Sequence, residues 1–141
     1  MRRLLFTGVA IIGSILFAQA RSGSPENDFK GSFFNSKYRI NLVIDLENES
    51  VVVPGLSFLG QTHGYMGGNI YGVWMITSCK VKKDEATIRM SNDQGADAQT
   101  VRLTSTDDGG LDYQVVGDNE VKRIEGRKLV KIPATLHFER K

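Results

Sequence analysis

The sequence predicts an all-β fold: an antiparallel meander of about eight strands forming a small closed or partly open barrel, with a β-sandwich as the alternative. Apolar and polar residues alternate with a period of two along several segments, which is typical of strands with one buried face. Turn residues recur roughly every 8–12 positions. Beyond residue 20, helical periodicity is not convincing anywhere, so we expect strands throughout.

The N-terminus has the layout of a secretory signal peptide. Arg2 and Arg3 precede an apolar run at 4–17, which ends at the small-x-small sequence Ala18-Gln19-Ala20. The apolar run is shorter than the roughly 20 residues that a spanning helix needs, which disfavours a retained membrane span. We therefore predict cleavage after Ala20 and an exported protein, either periplasmic or secreted.

Three segments follow from this layout. Residues 1–20 are the predicted signal peptide, 21–28 are a polar, flexible leader, and 29–141 are a single β-domain. Cys79 is the one cysteine, so an internal disulfide cannot form and the hydrophobic core must stabilise the domain. We expect Cys79 to be a small buried hydrophobe, with a reactive or intermolecular thiol as the alternative.

The charge balance argues against a nucleic-acid partner. The chain has 18 Lys and Arg against 16 Asp and Glu, and removal of Arg2 and Arg3 makes the two counts equal. A nucleic-acid-binding domain usually carries a basic footprint. Residues 84–118 are nevertheless rich in acids and 119–141 in bases, which indicates either solvated hairpins or a basic edge that meets an acidic partner.

The clearest strand is predicted over 37–47, where Ile40, Leu42 and Ile44 alternate with polar residues. A turn at 47–50 leads to a return strand at 51–53. The segment 56–68 is rich in glycine, and we expect a loop with a short strand or turn.

The longest strand is predicted over 69–83 and begins with apolar residues on both faces. Its early part is therefore expected to be covered on both sides. The residues that we expect to line the barrel interior, from this strand and from 37–47, are Tyr38, Ile40, Leu42, Tyr71, Val73 and Met75.

The rest of the chain is predicted to continue the meander. The Asp-Asp-Gly-Gly sequence at 107–110 is a strong turn signal, since Asp and Gly tolerate the backbone angles of tight turns. Around it, alternating patterns predict strands near 86–91, 100–104, 111–115, 121–125 and 135–140, while 127–132 either continues the preceding strand after Gly126 or begins a connecting segment.

Catalytic and metal-binding patterns are weak in this sequence. His63 and His137 lack cysteines or carboxylates at zinc-ligand spacing. A nucleophile elbow is absent around every serine, and Cys79 lies within an apolar row. The carboxylates of Asp107 and Asp108 are adjacent turn residues rather than a pair set across a cleft. We therefore predict no catalytic residues, no metal and no cofactor, and a protein that is not an enzyme.

The best functional clue is the aromatic, glycine-rich segment between residues 58 and 74. A concave apolar patch with a few polar tips is what a site for a small ligand or a peptide resembles. The predicted ligand-binding residues are His63, Tyr65, Met66, Tyr71 and Trp74.

The sequence Gly72-Val73-Trp74 resembles the Gly-x-Trp signature of the calycins, the lipocalin-like barrels. The resemblance implies a closed barrel with a ligand cavity and without catalytic residues. It also implies that Trp74 packs at one barrel end beneath a late basic residue, for which Arg140 is the candidate. The sequence departs from the family in one respect: the lipocalin motif lies on the first strand, whereas here the 37–47 strand precedes it.

Two functions from different classes follow. The first is an exported, non-enzymatic, lipocalin-like protein that holds a small apolar or amphipathic ligand. The alternative is an inhibitor or immunity-like domain of the envelope that binds a partner protein through the loop from Phe58 to Tyr71. A third possibility is a subunit of a surface assembly that pairs through an edge strand. An empty apolar interior favours the ligand, and a filled core with exposed loop aromatics favours the protein partner.

Overall fold

The barrel predicted from the sequence is present. This computed structural model describes residues 28–95 and 97–141, so the predicted signal peptide and nearly all of the predicted leader lie outside the described residues. The strands of the described part are β1 Lys30–Asn35, β2 Ile40–Asp45, β3 Val51–Val52, β4 Gln61–Thr62, β5 Gly64–Gly68, β6 Trp74–Lys82, β7 Glu85–Asn92, β8 Ala98–Ser105, β9 Leu111–Val116, β10 Lys122–Glu125, β11 Lys128–Lys131 and β12 Thr135–Arg140, with a 3₁₀ turn at Ser57–Leu59.

Eight strands close into an antiparallel barrel in the order β9-β12-β1-β2-β5-β6-β7-β8, and β8 pairs with β9 to complete the circle. The all-β prediction and the closed barrel are confirmed, and the sandwich alternative is not adopted. Strands β3–β4 and β10–β11 form separate two-stranded sheets outside the barrel wall. Because closure pairs each barrel strand on both sides, the described barrel wall leaves no edge for the assembly hypothesis, and the edge strands are those of the two small outer sheets.

The core fills the barrel with alternate residues from each strand. On β2 the predicted alternation is confirmed, since Ile40, Leu42 and Ile44 are buried and the intervening residues are partly exposed. The largest fully buried side chains are Trp74, Tyr113, Phe29, Phe33, Phe138, Ile40, Leu42, Ile44, Met66, Ile88, Met90 and Leu103. Among the described residues, helices are too short and too polar to cross a membrane.

The two ends of the barrel differ, and we name each by what closes it. At the lidded end lie the β1–β2 turn, the loop at 69–73, the turn between β7 and β8, and the segment 117–134, which we call the lid. At the Arg140 end lie the segment between β2 and β5, the β6–β7 and β8–β9 turns, and both ends of the described domain.

The interior row of the longest strand was predicted wrongly. The strand begins at Trp74 rather than at 69, and Trp74 and Ile76 are the side chains that enter the core. Tyr71 is exposed, and Val73 and Met75 are only half-buried. Both faces of this segment are apolar, so its pattern does not specify which face points inward. The pairing of Trp74 with Met66 sets that register.

Two further predictions need correction. The segment 56–68 was expected to be a loop, but β5 within it is a barrel strand that pairs with both β2 and β6. The return strand at 51–53 pairs with β4 instead of with the 37–47 strand. Strand β1 adds a barrel strand that the alternation did not predict, while the strand predicted at 121–125 and the segment 127–132 pair only with each other within the described domain.

Candidate functional site

The lid closes one end of the barrel with two aliphatic side chains. Val121 and Ile132 flank the β10–β11 hairpin and are buried in the barrel core. The Ile132 N–H donates to the Val121 carbonyl (3.0 Å), which holds these two residues side by side. Burial of two such side chains contributes about 3–6 kcal/mol to keeping the lid closed.

Hydrogen bonds tie the lid to the barrel wall. The Tyr71 N–H donates to the Lys122 carbonyl (2.8 Å). The Glu120 N–H donates to Oε1 of Gln99 (2.6 Å), a buried amide on β8 that faces inward. The guanidinium of Arg123 lies 5.8 Å from the centre of the Tyr38 ring. The lid therefore rests on the loop at 69–73, on β8 and on the β1–β2 turn.

Asn92 positions the loop that carries Tyr71. It is buried at the end of β7, and its Nδ2 donates to the Tyr71 carbonyl (3.0 Å). Its Oδ1 accepts the N–H of Gln94 (2.6 Å). The neighbouring Asp93 accepts the Val73 N–H (2.7 Å). The loop before β6 and the turn after β7 are thereby fixed against each other.

The structure brings together three of the five predicted site residues. Met66 and Trp74 are direct partners on β5 and β6, and both are buried inside the barrel. Tyr71 lies at the rim of the same end and is 40% exposed. Trp74 also pairs with Asn92, whose side chain binds the Tyr71 carbonyl. These residues form one connected region beneath and beside the lid.

The other two predicted residues lie elsewhere. Tyr65 pairs with Met75 in the alternate register, so its side chain points to the outer wall. His63 lies at the Arg140 end, where its Nδ1 contacts the carbonyl oxygens of Asp45 and Asn48, each at 3.1 Å. His63 therefore fixes the segment after β2, far along β5 from the lid.

Four buried polar atoms have no hydrogen-bond partner among the described residues: Trp74 Nε1, Tyr113 Oη, Asn119 Oδ1 and Arg123 Nε. We call them the orphan atoms. A buried donor or acceptor without a partner costs about 1–3 kcal/mol, and native proteins contain few of them. Two orphan atoms belong to the lid and one to the tryptophan at the lidded end.

Trp74 and Tyr113 present their orphan atoms within an apolar interior. Each side chain is 1% exposed. The Tyr113 ring packs against Phe138 with ring centres 5.7 Å apart. Burial raises the pKa of Tyr113 above its ordinary value, so its hydroxyl stays protonated and able to donate at neutral pH. Met66 and Met90 share this interior and have flexible side chains that adapt to a new shape.

A small cleft marks the seam between the lid and the barrel wall. Its volume is about 70 Å³, well below the roughly 300 Å³ at which ligand pockets begin. Lys122 and Glu120 face each other there, with Nζ and Oε1 3.9 Å apart. The lining residues are Tyr71, Asn92, Gln94, Gly95, Asp97, Glu120, Lys122 and Leu129. The cleft has room for one functional group rather than for a whole ligand.

Arg140 closes the opposite end. Its guanidinium donates to three backbone carbonyl oxygens: Nε to that of Gly109 (3.0 Å), Nη1 to that of Lys30 (2.8 Å) and Nη2 to that of Asp28 (3.3 Å). The guanidinium also lies 4.6 Å from the centre of the Phe33 ring. The resemblance implied that a late basic residue covers the tryptophan, but here Arg140 covers Phe33, at the other end from Trp74.

Sequence reasoning did not anticipate a cluster on the outer wall. His137 faces Asp112 across β9 and β12, with Nδ1 and Oδ1 2.8 Å apart, and its Nε2 lies 3.1 Å from Oδ2 of Asp108. The hydrogen bond with Asp112 is the main cause that raises the pKa of His137. The Thr106 hydroxyl and the Gly110 N–H lower the pKa of Asp108 to about 2. The sequence pattern alone does not reveal this cluster, because β9 and β12 are not consecutive and only the barrel order places His137 opposite Asp112.

The described residues offer weak prospects for other chemistry. His, Cys, Asp and Glu side chains within them do not form a group of three that is placed to hold a metal ion. Burial raises the pKa of the Cys79 thiol, and its Sγ donates to the Leu46 carbonyl (3.6 Å), so the nucleophilic thiolate is disfavoured. The Asp-Asp-Gly-Gly turn forms as predicted, with the Thr106 N–H donating to the Gly110 carbonyl (3.1 Å).

Comparison of this chain with family models, with curated proteins and with solved structures finds no match. The calycin resemblance therefore remains a prediction that rests on Gly72-Val73-Trp74 and on the barrel architecture.

Proposed function

We propose that this protein is a non-enzymatic binding protein that takes a small amphipathic molecule into the lidded end of its barrel. The proposal depends on one observation: Trp74 and Tyr113 present buried donors, unpartnered among the described residues, within an apolar interior. A ligand with an acceptor oxygen, such as a carboxylate or a carbonyl, would satisfy these donors while its apolar part replaces core contacts.

Binding requires the lid to move. An eight-stranded barrel is just wide enough for its side chains to fill or for one small ligand to occupy, and here inward side chains pack the interior. Withdrawal of Val121 and Ile132 with the lid would expose Met66 and Trp74 at a cost of about 3–6 kcal/mol. The closed state thus weakens the apparent affinity by roughly two to four orders of magnitude relative to an open barrel.

The proposal includes the location of the protein. The basic n-region, apolar run and small-x-small site within 1–20 support export to the periplasm or the medium. N-terminal sequencing of the extracellular or periplasmic protein tests this. A chain beginning at Arg21 is the expected result, and an intact Met1 contradicts it.

The experiment for ligand binding uses Trp74, the one tryptophan of the chain, as a fluorescent reporter inside the proposed site. Dodecanoate serves as the amphipathic probe, and we expect a saturable change in tryptophan emission. Tyr113→Phe should increase the free energy of unfolding by about 1–2 kcal/mol, because it removes a buried hydroxyl without a described partner. The same variant should weaken dodecanoate binding severalfold.

The opposite signs of these two effects distinguish a binding role from a purely structural one. Tyr65→Phe is the matched control, since Tyr65 lies on the outer wall, and it should change neither quantity appreciably. Absence of saturable emission change with dodecanoate, or a Tyr113→Phe variant with unaltered affinity, contradicts the proposal.

By the criterion set from the sequence, the filled core counts against a preformed ligand cavity, and together with the exposed tip of the segment between β3 and β4 it favours protein binding as a second candidate. Phe58 is 79% exposed, with Leu59 and Val52 also exposed nearby. The predicted surface from Phe58 to Tyr71 is divided, however, because Tyr71 lies at the opposite end of the barrel. A partner retained from envelope extracts by the wild type and lost with Phe58→Ser would support this function, and equal retention would exclude the tip.

A further inference from the structure

The outer wall of the barrel carries a basic trough that is separate from the lidded end. Thr87 on β7 pairs with Lys80 on β6 and with Arg102 on β8, so the three side chains project from the same face. Thr87 is short and its neighbours are long, which leaves a groove with a threonine floor and charged walls. Its volume is about 250 Å³, and its lining residues are Lys80, Lys82, Glu85, Thr87 and Arg102.

The trough has an excess of positive charge. The Nε of Arg102 lies 2.7 Å from Oε2 of Glu85, which neutralises one cation. Within the described part of the chain, Lys80 and Lys82 form no ion pair, although both are exposed. Arg89, further along β7, donates to the Thr100 hydroxyl (2.9 Å) rather than to a carboxylate. Lys82 is the direct cross-strand partner of Glu85, so Lys82 and Arg102 both lie beside the one carboxylate of the trough, and its three cations exceed that carboxylate by two charges.

We propose that this trough binds a phosphate group. Phosphate monoesters carry a charge of about −1.5 to −2 at neutral pH and present three acceptor oxygens. Lys80 and Lys82 supply point charges, the Arg102 fork supplies directed N–H donors, and the Thr87 hydroxyl supplies a further donor from the floor. A compact tetrahedral anion fits the groove, whereas the lidded end offers an apolar interior, so the two sites select different chemistry.

Glu85 has a specific role in this proposal. Its carboxylate holds Arg102 in place, but it also competes with the phosphate for the guanidinium and repels it. Neutralisation of Glu85 should therefore strengthen binding, whereas neutralisation of Lys80 should weaken it. A nonspecific response to net charge would show the same two signs, so a charge control away from the trough is needed.

The test is an NMR titration of the full exported domain with inorganic phosphate, at constant ionic strength maintained with chloride. We expect saturable shifts centred on the Thr87 amide, with a dissociation constant in the millimolar range. Exposed charge pairs are worth about 0.2–1 kcal/mol, so Lys80→Gln should raise the dissociation constant about 1.5–5-fold. Glu85→Gln should lower it by a similar factor.

Lys37→Gln, an exposed lysine on the β1–β2 turn, is the matched charge control and should leave the constant unchanged. Shifts that are not saturable, shifts that chloride alone reproduces, or equal effects of Lys37→Gln and Lys80→Gln would overturn the proposal. An NMR spectrum that is unchanged outside the trough shows that a variant is folded. Only variants that meet this criterion are compared in binding.

Two further arms identify the source of the phosphate. Glycerol 3-phosphate represents a free ester, and vesicles containing phosphatidic acid represent a lipid headgroup, with phosphatidylcholine vesicles as the control. Sedimentation with the acidic vesicles that Lys80→Gln reduces, and Lys37→Gln does not, assigns the site to a headgroup. Saturable binding of the free ester without sedimentation assigns it to a soluble metabolite. Neither result depends on whether dodecanoate enters the barrel.

Discussion

The two ends of the barrel are closed by different means. At the Arg140 end, one guanidinium bridges the carbonyl groups of Asp28, Lys30 and Gly109 and lies over the Phe33 ring. At the lidded end, the lid inserts Val121 and Ile132 into the core and is held by hydrogen bonds to the barrel wall. The first closure is a charged side chain bonded to backbone, and the second is a folded hairpin.

The orphan atoms divide between the two ends in the same way. Within the described residues, those of Trp74, Asn119 and Arg123 lie at the lidded end, that of Tyr113 lies midway along β9, and the Arg140 end contributes none. Folding alone favours satisfied polar groups, and violations concentrate at functional positions. The difference supports a structural role for the Arg140 end and a binding role for the lidded end.

The largest expected effect comes from truncating one of the two lid side chains that are buried in the core. Ile132→Ala removes buried aliphatic volume and should reduce the free energy of unfolding by about 2–5 kcal/mol. Because the lid then binds the barrel less tightly, acrylamide should quench Trp74 emission more strongly than in the wild type. Chemical unfolding and quenching on the same samples measure both quantities.

Ile88→Ala separates lid opening from general destabilisation. Ile88 is equally buried in the core but belongs to β7, outside the lid. We expect a comparable loss of stability with little change in Trp74 quenching under native conditions. Equal quenching in the two variants would mean that the lid does not control access to Trp74.

The next effect tests the other end. Arg140→Gln removes hydrogen bonds to backbone carbonyls and the contact with the Phe33 ring, and should cost about 1–3 kcal/mol. Lys141→Gln is the control, since Lys141 Nζ makes a long contact with Asn41 Oδ1 (3.5 Å) and lies 5.4 Å from the centre of the Phe34 ring, without hydrogen bonds from its ammonium to backbone carbonyls in the described residues. Trp74 emission and dodecanoate affinity should remain unchanged in Arg140→Gln. A loss of affinity would show that the two ends are coupled.

A smaller effect is expected at Gly72, which positions the loop beside the lid. Gly72 has φ 76°, and a Cβ there would lie 2.6 Å from Asn92 Oδ1. Gly72→Ala should therefore cost about 1–2 kcal/mol from backbone strain, with an added cost from the displaced amide. Gly117→Ala is matched in φ (88°), but a Cβ there meets nothing within 4 Å of the described atoms.

The difference between the two glycine variants measures the contacts with Asn92 and with Asp93 Oδ1, which would lie 2.9 Å from the added Cβ. Since Asn92 binds the Tyr71 carbonyl and the Tyr71 N–H binds Lys122, Gly72→Ala should also accelerate amide exchange at Tyr71. Thermal unfolding and hydrogen exchange measure the two effects. Identical stability and amide exchange in both variants would show that the contact with Asn92 does not position the loop.

The sequence predicted those parts of the fold in which only one face of a strand is apolar. On β2, the alternation of Ile40 and Leu42 with polar residues specified the register, and the turn at 107–110 carried its own backbone signal. Strand β5 was missed because its glycines weaken the β pattern. The lid was missed because alternation predicts a strand at β10 without identifying its partner.

The candidate site was predictable to a similar extent. Met66 and Trp74 were selected as large apolar residues near glycines, and they are adjacent inside the barrel. Tyr65 differs from Met66 by one position and therefore points to the opposite face. Tyr113, which carries an orphan atom, is distant in sequence, and only closure of the barrel brings β9 around to the same interior.

The smallest expected effect concerns His137 on the outer wall, beside the turn that supports Arg140. Its pKa is raised above the ordinary value of 6.5, first by the hydrogen bond with Asp112 and further by Asp108. The stabilisation by protonated His137 is therefore complete below the unfolded-state pKa and is lost as pH rises through the folded-state pKa. Asp108, with a pKa of about 2, loses its contribution as pH falls from 4 towards 2.

NMR titration of the His137 ring protons measures the folded-state pKa, and Asp112→Asn should bring it closer to 6.5 because it removes the main cause of the shift. Unfolding measured across the same pH range should show wild type losing stability relative to His137→Gln as the ring deprotonates. The effect is small because both partners are exposed. A His137 pKa at or below 6.5 would show that the ion pairs with Asp108 and Asp112 do not stabilise the Arg140 end. A pH dependence of Trp74 quenching would show that this end is coupled to the lid.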